Sequence, residues 1–171
     1  MKRYWLAAFL GLSLSARAGV PAALPDLGAA PPFAGISGWL NSPPLDLPSL
    51  RGKVVLVDFW TYSCINCLRT VPYVARWHEQ YRDQGLVVVG VHTPEYPFEH
   101  GREGVQMALR RFGIAHPVAQ DNAYATWKAW KNQYWPAAYL VDRHGRIRYQ
   151  HAGEGAYAET EQAIRQLLAE P

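Results

Sequence analysis

The chain has 171 residues, with 17 Lys and Arg against 14 Asp and Glu. Three of the basic residues, Lys2, Arg3 and Arg17, fall in the first 18, and the remainder balances at 14 basic against 14 acidic. A neutral domain of roughly 150 residues suits a single core and gives no electrostatic case for nucleic acid or an anionic membrane as partner; a monomer is expected.

In chain order, Lys2-Arg3 reads as a basic n-region, Tyr4 to Leu14 as an apolar h-region and Ala16-Arg17-Ala18 as a cleavage site, so residues 1–18 form a signal peptide with a mature start at Gly19. An uncleaved anchor helix is the alternative. Residues 19–34 form an extended lead-in rich in Pro, Gly and Ala, and residues 35–171 one domain, with a short hairpin placed around Trp39 to Leu47. Lys53 to Trp60 is a continuous apolar run, the pattern of a strand buried on both faces. Ile65 to Asp83 follows as a helix that Gln84-Gly85 ends. Leu86 to His92 is a second buried strand. A helix at Gly101 to Phe112, an extended piece at His116 to Ala119 and a helix at Ala123 to Lys131 come next. Pro136 to Val141 and Arg146 to His151 flank the hairpin turn Asp142-Arg143-His144-Gly145. Ala156 to Leu168 closes the chain as a helix. A βαβ start with a terminal ββα unit implies an α/β domain with a central mixed sheet flanked by helices.

The only two cysteines, Cys64 and Cys67, form Cys64-Ile65-Asn66-Cys67 between the first long strand and its helix. A helix N-terminus carries partial positive charge and free N–H donors, which favour a thiolate placed there. The spacing lets the second thiol close a small disulfide ring, so the pair reads as a redox-active dithiol, against a structural disulfide or half of a metal site. Asp58 lies inside the apolar strand, where an isolated charge is costly and its pKa should rise. It is the candidate proton acceptor for Cys67, the other reading being a solvated Asp at the strand end. Glu95 sits just past the second strand, where sites collect in open α/β sheets. Trp60 and Tyr62 either flank the site or belong to the core, and Pro72 reads as a helix kink. The six histidines show no metal-ligand spacing and are expected at surface or capping positions. No metal or other cofactor is expected beyond the Cys64–Cys67 disulfide.

The order of elements, C-x-x-C at the helix start, Asp58, Pro72 and Pro136 resemble thioredoxin. The long stretch from Cys67 to Pro136 leaves room for the extra helix and strand of the exported TlpA/ResA-like (redoxin) branch. Trp60-Thr61-Tyr62-Ser63-Cys64-Ile65-Asn66-Cys67, Gly90-Val91-His92-Thr93-Pro94-Glu95, Tyr134-Trp135-Pro136-Ala137 and Gly153-Glu154-Gly155 resemble the thioredoxin-like domain of DipZ-type cytochrome c biogenesis proteins. The resemblance implies that Cys64 attacks, Cys67 resolves, and Glu95 lies near the dithiol. It also implies that a cis Trp135–Pro136 bond turns the Trp135 backbone toward substrate, with Trp135 shaping the groove. It further implies an exported, periplasmic or extracytoplasmic thiol-disulfide oxidoreductase that reduces protein disulfides, with apocytochrome c as the family-level substrate. DipZ proteins carry a membrane-spanning electron-transfer domain that is not found in this sequence, so a separate membrane donor of the CcdA/DsbD type is expected.

Two other classes are weighed. Thr61-x-x-Cys64 is superficially like the peroxiredoxin T-x-x-C, but Val57 stands where a proline is expected. A thioredoxin-fold copper carrier would suit soft thiolates, but those proteins use C-x-x-x-C with a histidine.

Overall fold

The computed structural model describes residues 23–171; the signal-peptide reading therefore lies outside the described residues. The elements are β1 (Gly38–Leu40), β2 (Val54–Trp60), α1 (Ile65–Tyr81), β3 (Leu86–His92), α2 (Arg102–Phe112), β4 (Val118–Gln120), α3 (Ala125–Ala129), β5 (Ala137–Val141), β6 (Ile147–Ala152) and α4 (Tyr157–Ala169). They build one six-stranded mixed sheet in the order β1-β4-β3-β2-β5-β6. β3 runs parallel to β2 and to β4, whereas β5 is antiparallel to β2 and β6 to β5. This is the thioredoxin-like α/β arrangement expected from the βαβ start and ββα end, with α2, β4 and α3 inserted between β3 and β5.

The seven residues of β2 are all buried because the strand is central and covered on both faces. On one face Val54, Leu56, Val88 and Leu140 pack against Val74, Trp77 and Tyr81 of α1 and Ile164 and Leu167 of α4. On the other, Val57, Phe59, Val91 and Tyr139 pack against Trp130, Leu47 and the lead-in residue Phe33. A third cluster joins Trp60, Cys67 and Val71 to Val105 and Leu109 of α2. Gly85 ends the first long helix in the left-handed region (φ 102°), with Arg82 to Gln84 tightened to a 3-10 turn.

Two expectations are corrected. No hairpin forms at Trp39 to Leu47: β1 instead pairs antiparallel with β4, Trp39 opposite Ala119. The edge strand is completed by a partner some eighty residues later in sequence, a pairing invisible to local turn chemistry. The histidines are not all superficial either. His100 donates to the Pro97 carbonyl from Nδ1 (3.0 Å) as a cap would, but His92 and His116 are only 0% and 2% exposed. Gly90 makes room for His116, since a Cβ there would lie 3.0 Å from Trp60 Nε1 and 3.2 Å from His116 Nε2.

Burial holds His92 down at about 4 and His116 at about 3. Both are carried neutral in the fold, while the unfolded chain protonates them near the ordinary 6.5. The stability they support is complete above pH 6.5 and falls progressively as pH drops through that value toward their folded values. The thermal midpoint should therefore decline below about pH 6.5, and His116→Gln should flatten the decline; an unchanged slope would show that the site hydrates before the fold opens.

Candidate active site

β2 delivers the chain to the carboxyl end of the sheet, and Thr61 to Ser63 carry it to Cys64, the N-cap of α1. Cys64 Sγ accepts from the Cys67 N–H at 3.3 Å, so the first thiol rather than a hydroxyl or carboxylate satisfies an orphan donor of the helix start. Both cysteines are free thiols; Cys64 is half-buried and Cys67 buried at 1% exposure. Cys64 lies 4.0 Å from the Trp135 carbonyl, and the Trp135–Pro136 bond is cis. The run into the dithiol is fixed from behind by His92. Trp60 stands edge-on to its ring, Tyr62 stacks on it at 5.5 Å, and Thr61 Oγ1 lies 3.3 Å from Nε2. Trp60 is thus core, packed behind Cys67 at 1% exposure. Tyr62 is half-buried and donates its hydroxyl to the Phe98 carbonyl (2.9 Å).

Asp58 is 4% exposed, and its Oδ1 finds no hydrogen-bond partner among the described residues. Desolvation pushes its carboxyl up to about 7. Burial also pushes the Cys67 thiol up, with the hydrogen bond to Cys64 and the charges of Cys64 and Asp58 acting in the same direction and a Thr61 backbone hydrogen bond partly opposing them. A thiol held that high cannot attack unaided near neutrality, and a carboxyl poised near 7 is the base such a thiol needs.

Glu95 is exposed in the loop after β3; its peptide N–H donates to Glu99. The carboxylate that reaches the dithiol loop is Glu99, which the sequence reading passed over. It is 0% exposed, and its Oε1 accepts from Ser63 Oγ (2.6 Å) and Ser63 N (3.2 Å) while Oε2 accepts from the N–H groups of Glu95 and Tyr96. Burial raises Glu99, but hydrogen bonds from Ser63, Thr61, Tyr96 and Glu95 outweigh it and leave the carboxyl below its ordinary value. The signal was present: Tyr96-Pro97 with Glu three residues on is the pattern of a helix start whose N3 carboxylate folds back on the N-cap. Glu99→Ala strips four donors of their acceptor, and a loss of about 1–3 kcal/mol is expected. Thermal unfolding should show a midpoint drop of several degrees, about 2–4 °C per kcal/mol at this size; an unchanged midpoint would mean that water replaces the carboxylate.

Trp135 is clamped by its indole N–H donating to the Thr93 carbonyl (3.0 Å) and by a tilted ring contact with Trp127 at 4.1 Å. Tyr124 hydrogen-bonds the Pro94 carbonyl next to it. Beyond this wall, Ile65, Phe98 and Tyr134 stand 61%, 64% and 58% exposed.

Residues 29–168 match the redoxin family model. Over 150 residues, 86% of this chain, the sequence is 54% identical to Protein DipZ of Mycobacterium tuberculosis (strain CDC 1551 / Oshkosh), of which that stretch is 22%. The chain therefore spans about a fifth of the length of the DipZ relatives it matches. It is 30% identical over 140 residues to the thiol-disulfide oxidoreductase YkuV of Bacillus subtilis (strain 168), covering 82% of this chain and 94% of that one. A solved structure of a thiol-disulfide isomerase from Corynebacterium glutamicum superposes with a TM-score of 0.75 at 28% identity, covering 83% of this chain and 98% of that one. The chain belongs to the redoxin family, and it sets paired thiols at a helix start in a thioredoxin-like fold, an arrangement suited to thiol-disulfide exchange.

Proposed function

We propose that the protein is exported and reduces disulfides in protein substrates, Cys64 attacking and Cys67 resolving the mixed disulfide. The observation that carries this reading is the graded dithiol: a half-exposed Cys64 capping α1, a buried Cys67 one turn behind it, and a buried Asp58 carboxyl whose Oδ1 has no partner among the described residues. Pro136 and Trp135 supply the backbone edge on which an extended substrate segment pairs, and exposed Ile65, Phe98 and Tyr134 offer it apolar contact. Export is supported by the n-region, h-region and cleavage pattern of residues 1–18. Among the described residues no helix is long and apolar enough to cross a membrane. Relation to DipZ supports apocytochrome c cysteines as the substrate class and a membrane donor of the CcdA/DsbD type as the electron source.

The direction of electron flow follows from charge. Ile65 and Asn66 place no cation between the thiols, and Glu99 brings a carboxylate to the residue before Cys64. Nothing in the spacer favours the reduced, thiolate-bearing state that makes a strong oxidant. The couple should therefore lie on the order of −200 mV or lower, in the thioredoxin and glutaredoxin range. Equilibration against glutathione buffers measures it; a value near about −120 mV would make the protein an oxidant and overturn the reductase reading.

A further inference from the structure

Asp58 does not stand alone in its row. In the sheet register Asp58 of β2 is opposite Ala138 of β5, and Ala138 is opposite His151 of β6. Residues in register share a face of the sheet, so Asp58 and His151 flank a methyl group on the side covered by α1 and α4. Two strand spacings separate their Cα atoms by roughly 10 Å. Both line one cavity of about 10 Å³, walled by Thr70, Trp77, Pro136 and Tyr157, at the lower limit of what admits a single water molecule. Gly153 and Gly155 complete the wall with left-handed backbone (φ 93° and 111°), where a side chain would be strained. Two buried polar atoms on these walls have no hydrogen-bond partner among the described residues: Asp58 Oδ1 and His151 Nε2. His151 as a whole is half-buried, whereas Asp58 is sealed. The imidazole is the titratable group that joins the cavity to the outside.

We propose that His151 is a positioning residue for Asp58, exchanging its proton with solvent across this cavity and biasing its ionisation. The inference rests on the reading that Asp58 serves Cys67 in resolution. In that step Cys67 gives its proton to the Asp58 carboxylate as its Sγ bonds to Cys64 Sγ. The bond from Cys64 to the substrate sulfur breaks, and the substrate leaves as thiolate with the electron pair. The dithiol is oxidised and the substrate disulfide reduced. Asp58 then passes the proton through the cavity to His151 Nε2, which releases it outside. The other ionisable group lining the cavity is Tyr157 on α4, whose hydroxyl donates to Glu154 in the β6–α4 loop (2.7 Å); Cys67 on α1 lies outside the lining but close enough for the Asp58 charge to raise its thiol. Glu161, further along α4, is engaged by Trp77, Tyr81 and Arg76. None of these can present a cation to Asp58, whereas an imidazole at position 151 can accept a proton at Nε2.

The test is the pH profile of resolution, measured as glutathione released from a preformed Cys64–glutathione mixed disulfide. In His151→Gln the cation is lost, and the pH of half-maximal resolution should rise by about one unit. That is about a tenfold slower rate at pH 6, converging with the parent protein by pH 9. His151→Lys keeps a cation and should hold the profile at or below its original pH. A His151 with a structural role only would lower the thermal midpoint and leave the profile in place in both variants, which would overturn the proposal. Asp58→Asn separates the two levels. If it removes the inflection while His151→Gln does not move it, the His151 inference fails alone. If Asp58→Asn leaves the inflection intact, the role given to Asp58 fails with it.

Discussion

Cys64→Ser is expected to reduce disulfide turnover to the uncatalysed background, while Cys67→Ser retains the first attack and accumulates covalent mixed disulfides. The asymmetry follows from placement. Cys64 is the half-exposed cap of α1 within 4.0 Å of the Trp135 carbonyl, where an extended substrate segment would lie. Cys67 is 1% exposed, and burial pushes its thiol up, so it cannot serve as the entering nucleophile for a protein substrate. Its reach is limited to the sulfur one turn away. Mass spectrometry of each variant after incubation with a disulfide peptide should find a stable adduct on Cys64 in Cys67→Ser and none on Cys67 in Cys64→Ser. Multiple turnover by Cys67→Ser, or adducts on Cys67, would reverse the assigned roles.

Asp58→Asn should have the second largest effect, in opposite directions on rate and stability. Removing a base that takes the Cys67 proton should slow resolution by about 10²-fold near neutrality. Attack by Cys64 should be spared. On stability the sign is fixed by linkage. The carboxyl sits at about 7 in the fold against 3.8 in the unfolded chain, so between those values the native state holds a proton that the unfolded state has released. Asp58 therefore costs nothing below about pH 4, and its cost grows as pH rises toward 7 and then stays constant. The gap corresponds to an upper value of about 4 kcal/mol, a large share of the 5–15 kcal/mol typical of a domain. Asp58→Asn should raise the thermal midpoint at pH 8 and leave it nearly unchanged at pH 4. An equal midpoint at both values, with unaltered resolution, would place Asp58 in solvent and end its catalytic role.

The sequence by itself determined the sheet's long strands, the two helices that hold the dithiol side of the core, and the cysteine pair at the start of α1. These features are local. A seven-residue apolar run can only be satisfied by burial on both faces, a 3.6-residue repeat of apolar positions demands a sheet to lie on, and a C-x-x-C pair is tied to the helix that begins within it. Asp58 was legible as a candidate for the same reason, since an acid inside such a run is either buried or turned out at the strand end, and the structure buries it. Tertiary structure decided what depends on neighbours far away in the chain. β1 found β4 rather than a hairpin partner, because an edge strand pairs with whatever edge the sheet leaves open. His116 entered the core through the gap that Gly90 provides, and His92 through the packing of Trp60, Thr61 and Tyr62 around its ring. Glu99 rather than Glu95 reached Ser63, because a short 3-10 turn after Tyr96 rotates the later carboxylate inward and leaves the earlier one outside. The row Asp58–Ala138–His151 exists only through the registers of β2 with β5 and β5 with β6, and pairing register is set by the assembled sheet, not by any one strand.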